Sequence, residues 1–107
     1  MAEPIAIVRP QGRLDSATSR EFEQDLLKRI EDGDRLMVLD FSGLAFISSA
    51  GLRAILLAGK QIKAAGGRLA ICSPSKHVKE ILDVTDCTTL IGVFPTYESA
   101  AAHLSMA

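Results

Sequence analysis

The sequence predicts an α/β protein with a mixed, largely parallel sheet of about five strands and helical cover. Three observations carry that prediction. Short apolar runs alternate with longer amphipathic segments after residue 14. The run Leu36–Phe41 is almost continuously apolar, as suits a central strand covered on both faces. Glycines, prolines and hydroxyl residues stand between the segments as stop and start signals.

Ile5–Arg9 reads as the first strand, ended by Pro10. Pro10-Gln11-Gly12 is a turn, and Arg13-Leu14 is expected to close a hairpin with the first strand. Asp15 or Ser16 is expected to open the first helix. Phe22, Leu26, Leu27 and Ile30 supply its buried stripe, and Lys28 and Arg29 suit its C-terminal dipole. Gly33 ends it.

The central strand follows, and the segment from Phe41 to Ser48 reads as a loop. A second helix is expected from near Ser49 to about Ala65, with Leu52, Ile55, Leu56, Gly59 and Ile62 inward and Gly66-Gly67 as its stop. Arg68–Cys72 is the next strand. Ser73-Pro74 is expected to cap a short third helix, with Pro at its first position, and Val78, Ile81 and Leu82 form its buried side. Thr85–Thr89 reads as a polar loop and Leu90–Phe94 as the last strand. Thr96 caps a final helix with Glu98 in its first turn, and Ala100, Ala101 and Leu104 pack back on the protein.

The 107 residues suggest one domain spanning 1–107, enough to bury roughly two-thirds of the surface of the unfolded chain. Hydrophobic residues make up 48% and charged residues 23%, an ordinary globular balance. Twelve basic and 13 acidic residues give a net charge of −1. They are interspersed, which argues against nucleic acid as the main partner and against a polybasic membrane contact. With 5% aromatic residues and no Trp, base-stacking platforms are unsupported. No apolar run approaches the ~20 residues of a membrane span, and Met-Ala-Glu-Pro lacks a secretory signal pattern. A cytoplasmic setting is therefore expected. Cys72 and Cys87 show no metal or redox spacing, and Cys72 reads as a small buried hydrophobe.

The chemistry concentrates in Val38–Arg53. Ser48 and Ser49 fall where the second helix begins, and a helix N-terminus favours added negative charge. Either serine can serve as a simple cap or as an acceptor of phosphate, and local sequence leaves both readings open. Asp15 reads as an N-cap. Asp40 interrupts a buried run, so its carboxylate needs partners; backbone N–H groups of the loop from Ser42 to Ile47 would supply them. A phosphoaspartate role for Asp40 would need an acidic pair after the first strand and a late Lys, and both are missing. His77 and His103 lie apart, as surface helix residues do. Gly-x-Ser-x-Gly and Gly-x-x-x-x-Gly-Lys-Ser/Thr are absent, so neither a serine hydrolase elbow nor a phosphate-binding loop is indicated.

Three segments carry a family resemblance: Gly12-Arg13-Leu14-Asp15 with Thr18, then Val38-Leu39-Asp40-Phe41-Ser42, then Phe46-Ile47-Ser48-Ser49-Ala50-Gly51-Leu52. With Gly66-Gly67 they follow in order along nearly the whole chain. The chain resembles a STAS domain protein of the bacterial anti-sigma factor antagonist kind. The resemblance implies partner switching. The unmodified antagonist binds an anti-sigma serine kinase, is phosphorylated with the kinase's ATP, and is then released. It places the acceptor on Ser49, with Ser48 as the alternative, and the partner surface around Asp15, Ser48, Ser49, Gly51, Leu52 and Arg53, with Leu52 and Arg53 at its rim. Ser48 stands where the family often has Asp, and Ala50 where it often has Ser. No cofactor of the protein's own and no enzymatic activity are implied. A constitutive STAS binding subunit of a transporter or stress-signalling complex, never phosphorylated, is the alternative.

Overall fold

The computed structural model describes residues 4–85 and 91–105. Six strands and four helices occur among them: β1 Ile5–Val8, β2 Gly12–Leu14, α1 Ser19–Glu31, β3 Leu36–Asp40, β4 Leu44–Ile47, α2 Ser49–Ala64, β5 Arg68–Cys72, α3 Lys76–Val84, β6 Gly92–Phe94 and α4 Tyr97–Ser105. Cys87, most of the expected Thr85–Thr89 loop, Leu90 and the first three residues lie outside the described residues.

The main sheet has the order β1-β3-β5-β6, and every pairing in it is parallel. Alternate side chains of a strand face opposite ways, and β3 and β5 use this to serve two cores. Met37, Leu39 and Ile71 pack with α1, α2 and α3 through Leu26, Ile30, Ile55, Ile62, Val78 and Leu82. Val38, Ala70 and Cys72 pack with Ala100 and Leu104 of α4 on the other face. The α/β, largely parallel arrangement expected from the alternation is therefore present.

The hairpin is a correction. β1 pairs with β3, Ile5 opposite Leu36 through Val8 opposite Leu39. β2 instead joins β4 in a separate parallel pair, with Arg13 opposite Phe46 and Leu14 opposite Ile47. At Gly12 the chain has φ of 74°, a conformation glycine adopts without strain. The Gly12 amide bonds the carbonyl of Gly43 at 2.9 Å. The turn thus leads the chain away from β1, and Leu14 is buried. Accordingly, part of the segment expected as a loop between Phe41 and Ser48 is strand β4.

The start of α1 also differs. The Asp15 carboxylate accepts from the amides of Ala17 at 2.9 Å and Thr18 at 3.2 Å, so the Asp-Ser-Ala-Thr stretch folds as a turn and the helix begins at Ser19. Side chains of Asp, Ser and Thr compete for local amides in this way. Likewise α3 is capped by Ser75, which accepts from the amide of Val78 at 3.2 Å, rather than by Ser73. Ser73 itself has φ of 56°. The second helix and the Thr96 cap are as expected: Ala65 terminates α2, and the Thr96 hydroxyl accepts from the Ser99 amide at 3.1 Å.

Candidate functional site around Ser48 and Ser49

Three elements meet where α2 begins. β4 ends at Ile47, α2 starts at Ser49, and β2 lies alongside β4. The Ser48 amide donates to the carbonyl of Leu14 at 2.8 Å. That bond places Asp15, the next residue after Leu14, in the corner that holds the serines. Gly51 makes the approach possible. A Cβ there would lie 2.9 Å from Cγ1 of Ile47 and 3.0 Å from both Cβ and O of Leu14, closer than ordinary packing allows.

The two serines take different positions. Ser48 is the N-cap, with extended backbone, and its hydroxyl accepts from the Gly51 amide at 3.3 Å. Its carbonyl accepts from the Leu52 amide at 2.9 Å. The first bond satisfies one of the amides that a helix start leaves unpaired, and the second is the first regular bond of α2. Ser49 is the first residue of the helix and is exposed. Its hydroxyl carries no capping duty.

Asp15 is held by its own turn. The Ala17 amide, with the Thr18 amide, the Thr18 hydroxyl and the Arg13 guanidinium behind it, keeps its carboxyl below the ordinary aspartate range. Thr18 completes the turn, donating its hydroxyl to the Arg13 carbonyl at 2.8 Å while accepting from the Asp15 amide at 3.0 Å. Asp40 lies at the C-terminal end of β3. Its carboxylate accepts from the Ser42 amide at 3.0 Å and pairs with Arg9 at 3.1 Å. The Ser42 amide first, and Arg9 with it, hold its carboxyl low. Asp40 therefore supports the turn into β4, as its place in the sequence suggested, through Ser42 alone of the loop amides considered.

The expected site residues divide in two. Ser49 and Arg53 are exposed and Asp15 and Ser48 half-buried, so these four reach the surface. Gly51 is buried against β2 and β4. Leu52, expected at the rim, is only 8% exposed and packs in the core. Its place at the fourth position of the helix turns it inward, so it anchors α2 rather than standing at the rim.

A cluster that the sequence did not single out adjoins the serines. Phe46 points from the outer face of β4. The Arg13 guanidinium lies over its ring at 4.3 Å, a cation–π distance, and the His77 ring of α3 stacks parallel to it at 6.4 Å. Within β4, Leu44 and Ile47 are buried, Ala45 is exposed and Phe46 is half-buried, and the place of Phe46 becomes legible only once Leu44–Ile47 is taken as a strand rather than a loop.

The fold accords with the comparisons to known proteins. A model of the STAS domain family matches residues 2–100. BtrV of Bordetella bronchiseptica, named as an anti-sigma factor antagonist, is 36% identical over 97 residues, covering 91% of this chain and 84% of its own. The anti-sigma F factor antagonist of Paenibacillus polymyxa is 31% identical over 102 residues, 94% of this chain and 85% of its own. In fold, the crystal structure of a Thermotoga maritima protein described as an anti-sigma factor antagonist superposes with a TM-score of 0.88 at 23% identity, over 94% of this chain and 86% of that one. The family match along nearly the whole sequence, with two relatives above 30% identity, places the chain in the STAS domain family.

Proposed function

We propose that this protein is an anti-sigma factor antagonist that works as a partner-switching module, bound by an anti-sigma serine kinase while Ser49 is unmodified and released once Ser49 is phosphorylated. One observation carries the reading. Ser48 takes the cap of α2 and leaves the Ser49 hydroxyl exposed at the first helical position. The names of two relatives support the same role. In the transfer, a bond forms between Ser49 Oγ and the γ-phosphorus of ATP while the bond to the β–γ bridging oxygen breaks. ADP leaves, and the serine proton passes to a base of the kinase.

The charge explains the switch. A phosphoserine adds about −1.5 to −2 charges at neutral pH. At a helix start that charge is compatible with the fold. Buried against a partner it is costly, through desolvation and repulsion. Asp15, Ser48 and Arg53 would border the contact, with the Arg13–Phe46–His77 stack extending it along β4. The setting would be cytoplasmic, where the kinase and its ATP reside. Among the described residues no helix is long and apolar enough to cross a membrane.

The test compares Ser49→Ala and Ser49→Asp for binding to the serine kinase purified from the protein's own source. Ser49→Ala is expected to bind like the unmodified protein, and Ser49→Asp at least tenfold more weakly with unchanged melting temperature. Equal affinities would overturn the switch and favour a constitutive binding subunit.

A further inference from the structure

Arg53 stands four residues after Ser49 on α2, and both side chains are exposed. Residues spaced by four are neighbours on a helix surface, with about 5–6 Å between their Cβ atoms. Arg53 makes no ion pair or side-chain hydrogen bond with any described residue, whereas Arg9, Arg13, Lys28, Arg29 and Lys79 are each paired with an aspartate. The chain shows elsewhere what this spacing does. On α1, Asp25 precedes Arg29 by four residues and the pair closes at 3.2 Å. Ser49 and Arg53 repeat that order and spacing with a hydroxyl where α1 has a carboxylate.

We infer that Arg53 is the internal counter-ion of a phosphate on Ser49. The inference rests on the phosphorylation proposed above and adds to it a specific regulatory device. A guanidinium meets a phosphate with two parallel N–H donors. While Ser49 is unmodified, Arg53 is a solvent-facing cation beside the serine, open to a partner. Once Ser49 carries phosphate, Arg53 turns to it. One modification then removes a cation from the partner surface and adds an anion, so the local charge reverses sign.

The arrangement also separates the two serines. The residue four beyond Ser48 is Leu52, which is buried, and the Ser48 hydroxyl already holds the Gly51 amide. A phosphate on Ser48 would lose the cap and gain no counter-ion on α2. The other charged groups of the corner are committed elsewhere: Arg13 over Phe46 and beside Asp15, Asp15 in its own turn, and His77 against Phe46.

The test needs no kinase. Phosphoserine is incorporated genetically at position 49 of the full chain, and the phosphate is titrated by its phosphorus NMR signal at low salt, with Arg53 intact, with Arg53→Gln and with Arg13→Gln. A phosphoserine ordinarily titrates near pH 6. With Arg53 in place the midpoint is expected about half a unit below that of Arg53→Gln, a difference that shrinks in 1 M salt. Arg13→Gln should leave the low midpoint unchanged. Identical midpoints for the parent and Arg53→Gln would overturn the inference, as would a rise on Arg13→Gln alone. Unphosphorylated Arg53→Gln should melt with its parent, because the side chain makes no ion pair or hydrogen bond with any described residue. Since the phosphate is installed directly, a lowered midpoint stands even if no kinase of the source modifies Ser49, and an unshifted midpoint leaves phosphorylation itself untouched.

Discussion

The amide of Ser48 donates to the carbonyl of Leu14 at 2.8 Å, so the cap of α2 is fastened to the strand that runs into Asp15. The geometry of the serines depends on this seam between β2, β4 and α2 as much as on the helix. Gly51 sits at its tightest point, facing Leu14 and Ile47.

Gly51→Ala is therefore expected to destabilise the protein despite alanine's better helix propensity. The added methyl meets the Leu14 carbonyl oxygen, a backbone atom that cannot rotate aside. Overpacking of this kind costs about 1–3 kcal/mol. Urea unfolding would show it as a lower midpoint, and an unchanged or higher midpoint would contradict the account of the seam.

Ser48→Ala should cost about 1 kcal/mol, the usual worth of a serine cap, because the Gly51 amide loses its side-chain acceptor. Ser49→Ala should cost much less, since its hydroxyl has no partner among the described residues. Thermal melts of the two variants side by side distinguish cap from free hydroxyl. Equal losses would mean that the division of roles between the serines is wrong.

Asp40 gives a pH prediction. Its folded-state carboxyl is held below the ordinary aspartate value of 3.8, chiefly by the Ser42 amide and then by Arg9. A lowered folded value means that the charged form contributes stability above the unfolded value. That contribution disappears as pH falls from about 3.8 through the lowered value. Asp40→Asn should thus be less stable than the parent at pH 7, with the two stabilities converging below pH 3.8. A gap that stays constant across that range would contradict the assignment.

Phe41, ahead of β4, and Phe46, within it, should behave oppositely. Phe41 is fully buried, and Phe41→Ala should cost about 3–5 kcal/mol. Phe46 faces outward beneath Arg13, and Phe46→Ala should cost well under half of that. If Phe46 belongs to the partner surface, its removal should weaken kinase binding by more than its effect on stability explains. Chemical denaturation paired with binding measurements would separate the two effects.

The sequence made the long elements legible because their patterns are strong. Leu36–Asp40 and Arg68–Cys72 are buried runs bounded by stop signals, and α2 carries an inward stripe from Leu52 to Ile62. The serine pair was legible as the helix start for the same reason. What escaped is the seam. β2 has three residues and β4 four, too short to show a period, and their parallel pairing joins segments about thirty residues apart. Pro10-Gln11-Gly12 announced a turn without saying which strand came after it. Asp15 read as the cap of α1 because an aspartate before an amphipathic segment usually is one, yet here it ties up the amides of a preceding turn. Leu52 belongs to the inward stripe that the helical spacing predicts, and it packs in the core.

The measurement that tests the central claim most directly is intact-mass analysis after incubation with ATP and lysate of the protein's own source, with Ser48→Ala and Ser49→Ala alongside. A single phosphate on the parent and on Ser48→Ala, absent from Ser49→Ala, is the predicted result. A phosphate that survives in Ser49→Ala but vanishes in Ser48→Ala would move the acceptor by one residue. No phosphate on any of them, in a lysate with demonstrated serine kinase activity, would contradict the switch and leave Ser49 an unmodified surface residue of a constitutive binding protein.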